Sequence, residues 1–177
     1  MGILQLAEAG RLSLDDTVAS HLEDYPNQAV ATAVTIRQLL NHTSGLGEIF
    51  DDAFETRKAS LKTLRTLPLR GTSAGGGYST ARDLLRFAEA LRAGRLIPAA
   101  AVQAATSLQN TKGWYGYGFM VSGEDEQRQY GHEGGAPGAN AALIVLPSQG
   151  YVVIGLSNVD PDAMENVVNF VGNRLPL

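Results

Sequence analysis

The chain has 177 residues, 44% hydrophobic and 18% charged, with a formal net charge of −4 and a pI near 5.3. That size and apolar content suffice to bury roughly two-thirds of the unfolded surface, so one globular domain over residues 1–177 is expected, while the acidic balance without charge runs argues against a nucleic-acid partner held by its phosphates. The absence of cysteine excludes a disulfide framework, a thiol nucleophile and a cysteine metal site, and no apolar stretch is long enough for a membrane span; the compartment stays open.

Residues 1–9 place Ile3, Leu4, Leu6 and Ala7 on one helical face, with Gly10 where a helix would end, yet nothing caps the N-terminus. A helix so short is marginal alone, so the pattern is expected to continue one that starts further upstream. Residues 11–18, RLSLDDTV, read as a polar turn with Leu12 and Leu14 alternating inward. Thr35 and Gln38 form a capping box before Leu39 and Leu40, and the helix stops within Asn41-His42-Thr43-Ser44-Gly45, with Gly45 free to turn left-handed. Residues 48–64 suggest a charged, weakly amphipathic helix. Residues 65–77 are a Gly-rich turn without the Lys-Ser/Thr ending of a phosphate loop.

Ser79 or Thr80 caps the strongest helical pattern, whose face is Leu84, Leu85, Ala88 and Leu91 and whose end is Gly94. A shorter helix follows over residues 98–107, then a strand over 114–122, a polar turn over 124–128 and a C-terminal helix over 160–174. Residues 130–158 read as two or three antiparallel strands. Residues 139–146 and 151–157 form a hairpin through Pro147-Ser148-Gln149-Gly150. Gly131-His132-Glu133-Gly134-Gly135 has two readings, a Gly-rich loop leading into that hairpin or the bare wall of a cleft. The fold class is α+β, an antiparallel sheet flanked by helices.

His21, His42 and His132 lack metal-ligand spacing, so no metal is expected. Ser44 lies beside His42, but residues two apart at a helix end point away from each other, and helix termination explains them better than catalysis. Trp114, Tyr115 and Tyr117 suit sheet packing, with an acyl pocket as the alternative.

Four blocks, LQLAEAGRLSLDDTV, TIRQLLNHTSGLG, GTSAGGGYSTARDLLRFAEALRAGRL and YGHEGGAPGANAALIVLPSQGYVVIGLSN, occur in that order and resemble the serine β-lactamase-related family of class C β-lactamases, family VIII esterases and DD-peptidases. The resemblance implies acyl transfer through a serine ester without a cofactor, on a small ester, a β-lactam or a peptide. It implies that His132-Glu133-Gly134 is the family's His-x-Gly strand. His132 would then contact substrate or the nucleophile side, the Gly135 N–H would donate to an oxyanion, and Gly134, Glu133 and Tyr130 would complete the substrate-binding strand. The family's Ser-x-x-Lys is missing, because the residues three before Lys58, Lys62 and Lys112 are Glu55, Ala59 and Gln109. Tyr25-Pro26-Asn27 satisfies Tyr-x-Asn but sits at an ordinary proline turn, and residues 48–70 are short for the family's middle helical insert. The expectation is a family member lacking its nucleophile segment and its middle helices, inactive or weakly active alone. The alternative is a binding module that associates through an exposed sheet edge.

Overall fold

The computed structural model describes residues 1–46 and 75–176. The helix expected over residues 48–64 and most of the Gly-rich turn lie outside the described residues. In chain order the elements are α1 (Gly2–Glu8), α2 (Gln28–Ala33), α3 (Ile36–Leu40), α4 (Ala81–Arg92), α5 (Ala99–Ala105), β1 (Met120–Ser122), β2 (Gln129–Ala136), β3 (Ala139–Leu146), β4 (Tyr151–Ser157) and α6 (Ala163–Gly172). The strands form one antiparallel sheet in the order β1-β2-β3-β4. The α+β class with helices flanking an antiparallel sheet is the observed architecture.

Local signals fix several helix ends. Both halves of the Thr35/Gln38 capping box form, Thr35 Oγ1 accepting from the Gln38 N–H and Gln38 Oε1 from the Thr35 N–H. Thr80, not Ser79, caps α4 by accepting from the Asp83 N–H. Asn27 caps α2 by accepting from the Val30 N–H, so the Tyr25-Pro26-Asn27 amide serves a helix end. α3 ends differently from expectation: His42 itself turns left-handed at φ 58°, and Gly45 does so only later, at φ 72°.

Side chains alternate across the sheet. One face presents Val121, Tyr130, Leu143, Val145 and Val152 to Leu4, Ala88, Leu91, Ile97, Ala105, Tyr117 and Phe119, a single core that joins α1, α4 and α5 to the strands. On α4 the buried face runs through Phe87, Ala88 and Leu91, while Leu85, expected inward, is 38% exposed. Leu85 falls on the flank of the helix, and Phe87 takes the place by the core. A smaller cluster of Val18, Ala31 and Val34 holds α2 to the preceding turn.

α6 covers the other face over β3 and β4. Gly155 makes that seat: a Cβ there would lie 2.2 Å from Met164 Sδ and 2.8 Å from Val168 Cγ2. The α6 N-terminus has no cap of its own. Asn140 of β3 supplies one across the fold, its Oδ1 accepting from the Met164 N–H at 2.6 Å and the Glu165 N–H at 3.4 Å. Its Nδ2 donates to Glu165 Oε1 at 2.8 Å and to the Gly134 carbonyl at 3.2 Å, tying α6 to β2 as well.

The strand expected over residues 114–122 is broken. The chain folds back through Gly116 and Gly118, with the Gly116 N–H donating to the Phe119 carbonyl and the Val121 N–H to the Trp114 carbonyl. A side chain at Gly116 would place Cβ 2.1 Å from the Ala105 carbonyl oxygen, and Gly118 sits at φ 79°. Only Met120–Ser122 is left to pair with β2.

Candidate functional site

Of the two readings of Gly131-His132-Glu133-Gly134-Gly135, the structure takes the strand: all five lie in β2, paired with residues 140–144 of β3. β2 and β3 are joined by Pro137 and Gly138, the glycine at φ 77°, with the Gly138 N–H donating to Asp160 at 2.7 Å. The glycines have different reasons. At Gly131 a Cβ would sit 1.8 Å from the Leu143 carbonyl oxygen, and at Gly135 it would meet Pro161 Cγ at 2.4 Å, so packing excludes side chains from both. Gly134 meets nothing within 4 Å. β1 pairs with β2 only as far as Gly131, and from His132 onward the β1 side of β2 has no partner strand among the described residues.

The residues that furnish this edge come from far apart in the chain. Buried Asn41 donates through Nδ2 to the Gln109 carbonyl at 3.0 Å, and the Gly118 N–H donates to the Leu40 carbonyl, docking the folded-back segment on the end of α3. The docking brings Tyr115, 3% exposed, beneath β2. Its hydroxyl lies 2.7 Å from His132 Nε2. His132 Nδ1 lies 2.7 Å from the Glu133 carbonyl oxygen, which can only accept, so Nδ1 carries the proton. In the tautomer protonated at Nδ1, Nε2 offers a lone pair and the Tyr115 O–H donates to it. Burial pushes the Tyr115 phenol above its ordinary value, which keeps that proton in place.

Around this pair stand two more rings. The left-handed turn at His42 lays its imidazole over Tyr115, ring centres 4.3 Å apart and 25° from parallel, and Trp114 meets Tyr115 edge-on at 4.8 Å. Trp114 is 38% exposed, so the cluster has a solvent-facing aromatic rim. A cleft of about 240 Å³ runs past Trp114, Met120, Gly131, His132, Glu133 and Asn169.

Each residue expected at the site has a definite place. His132 and Gly134 share the open wall. Glu133 points to the opposite face, toward α6; burial, then the Glu165 carboxylate, raises its carboxyl above the usual range. Gly135 is backed by Pro161. Tyr130 is buried at the back of the cleft, its ring edge-on to Phe119 and beneath the Arg128 guanidinium. Tyr117 is in the core too, its hydroxyl meeting Arg37 Nη1 at 2.5 Å, so of the three aromatic residues Trp114 lines the cleft and buried Tyr115 backs it through His132. The Ser44 hydroxyl accepts from the Leu46 N–H in a turn, and His21 pairs with Asp16 at 2.9 Å on the surface. The Tyr115–His132 hydrogen bond has no sequence signal, since it spans 17 residues.

The beta-lactamase family model matches residues 1–73 and 62–175 of this chain. Among solved structures the fold is similar to a penicillin binding protein from Bacillus halodurans, at 19% identity and a TM-score of 0.73, over 96% of this chain and 82% of that one. It is similar to a D-stereospecific amidohydrolase from Streptomyces sp., at 20% identity and 0.70, over 96% and 82%. A D-amino acid amidase from Ochrobactrum anthropi SV3 aligns at 18% identity and 0.65, over 97% and 80%. At such identities the likeness is one of fold. No curated protein matches the chain.

Proposed function

Because the chain belongs to the serine beta-lactamase-related family, a family of serine hydrolases, we propose that it derives from an enzyme that cleaved an ester or amide through an acyl-serine and that its 177 residues keep the substrate-binding wall without the nucleophile. The observation that carries this reading is the β2 edge at residues 132–135. There a polar ring held by Tyr115 adjoins an open glycine and a strand edge without a partner strand among the described residues, the setting in which an extended substrate finds backbone partners.

In this reading the Gly135 N–H donates to the carbonyl oxygen of a bound ester, β-lactam or peptide as negative charge builds on it. His132 gives the wall its polarity. Both ring nitrogens are already engaged, so it orients substrate and does not act as a free base. The aromatic rim of Trp114 and His42 takes the acyl portion, and histidine at position 132 favours short acyl esters. No serine is followed three residues on by lysine, so covalent catalysis is missing and only the weak rate from binding and an oxyanion donor remains. All of this belongs to a single domain.

Intact-protein mass after incubation with a fluorophosphonate, and separately with a penicillin, tests the reading. The expected result is unmodified protein that circular dichroism shows to be folded. A stoichiometric adduct mapped to one serine would overturn it and name a nucleophile.

A further inference from the structure

β2 ends in a stretch nearly bare of side chains. Beyond Glu133 come Gly134, Gly135 and Ala136, and among the described residues no strand pairs with the outer side of β2 from His132 onward. A chain added there in antiparallel register would send successive side chains to opposite faces of the sheet. The residue opposite Gly134 would lie on the side of His132, and the residue opposite Glu133 on the side of α6.

On the α6 side the charge has one sign. The Glu133 carboxylate stands half-buried in the cleft wall, and no described residue gives it a hydrogen bond or an ion pair. The groups whose charge acts on it are Glu165 of α6, Asp162 just before that helix, and the His132 ring; no arginine or lysine is among them. Glu165 already accepts from Asn140 Nδ2. Across β3 the partner of Glu133 is Ala142, too small to shield a carboxylate. Asn169 of α6 lines the same cleft and adds an amide oxygen that can accept.

We propose that the β2 edge takes an extended peptide with a lysine or arginine opposite Glu133, the ligand supplying the cation that this carboxylate lacks. The proposal rests on the reading of β2 as a substrate wall and narrows its ligand to a basic peptide. Cross-strand neighbours on one face stand about 4.5–5.5 Å apart at Cβ, within reach of a long basic side chain, and opposite charges at that spacing attract. A ligand carboxylate in the same place would meet Glu133, Glu165 and Asp162, all of its own sign. Gly134, where a Cβ would meet nothing within 4 Å, leaves room for the ligand side chain on the His132 side.

Trp114 lines the cleft and is the only tryptophan of the chain, so its fluorescence reports occupancy. The probes are acetyl-Ala-Val-Lys-Val-Ala-amide and the same peptide with norleucine or glutamate in place of lysine, all without terminal charges. The lysine peptide is expected to bind about fivefold more tightly than the norleucine peptide, and the glutamate peptide more weakly than either. Glu133→Gln is expected to erase the difference between lysine and norleucine, and Glu133→Lys to reverse the order of lysine and glutamate, with circular dichroism confirming both folds. Methylating every backbone nitrogen of the lysine peptide is expected to abolish binding, because strand pairing needs those N–H groups. Equal affinity for lysine and norleucine, or a lysine preference that survives Glu133→Gln, would overturn the proposal and leave the substrate wall standing. Undiminished binding of the methylated peptide would overturn the strand pairing on which the proposal depends. Failure of all three unmethylated peptides to bind would overturn both the proposal and the wall.

Discussion

Asn140 offers a sharp test of how the site wall is held. It is 2% exposed and ties three elements together, so Asn140→Ala removes several interactions at once. The α6 N-terminus loses its only side-chain cap, worth about 1 kcal/mol. The donor to Glu165, a hydrogen bond to a charged group, is worth about 1.5–3 kcal/mol where fully desolvated, and the half-buried carboxylate takes it to about 1 kcal/mol. The bond to the Gly134 carbonyl adds about 1 kcal/mol. The sum is about 3 kcal/mol, and with a urea slope of about 2 kcal/mol/M the midpoint should fall by about 1.5 M. Asn140→Asp keeps Oδ1 for the Met164 N–H and adds negative charge at a helix N-terminus, but it meets Glu165 and loses both Nδ2 bonds. It should lie between wild type and Asn140→Ala. A midpoint shift under about 0.5 M for Asn140→Ala would refute the network as the support of β2 and α6.

The strand glycines should separate by substitution. Gly131→Ala drives Cβ into the Leu143 carbonyl and should cost about 3 kcal/mol or more in chemical denaturation, whereas Gly134→Ala, facing open space, should stay within about 0.5 kcal/mol of wild type. Burial raises the phenols of Tyr115 and Tyr130 above the ordinary value of 10.0, in Tyr130 against opposing Arg92 and Arg128. The unfolded chain therefore gives up these protons first, so their stabilisation is complete below pH of about 10 and is lost as pH climbs through the raised values. Phenolate absorbance should show two late-titrating tyrosines, one of which vanishes in Tyr115→Phe. Denaturation midpoints that stay flat through this range would contradict the assignment.

What the sequence declared was what acts within a few residues. The Thr35/Gln38 box, the Thr80 cap and the hairpin of β3 and β4 each depend on side chains or turns next to the backbone they serve, so their residue types carry the information. The order of the four motif blocks likewise pointed to the family that the whole-chain comparison supports. The same local view misplaced the strand at residues 114–122, because its apolar residues continue straight through Gly116 and Gly118, and only the approach of the Ala105 carbonyl explains why the chain must fold back there. Tertiary structure alone decided the rest. It capped α6 with a residue 24 positions earlier, put Phe87 in place of Leu85 on the buried face of α4, and closed the Tyr115 hydroxyl on His132. Those contacts exist because burial leaves each polar group to find whatever partner the packed strands and helices bring within reach, and sequence separation sets no limit on that choice.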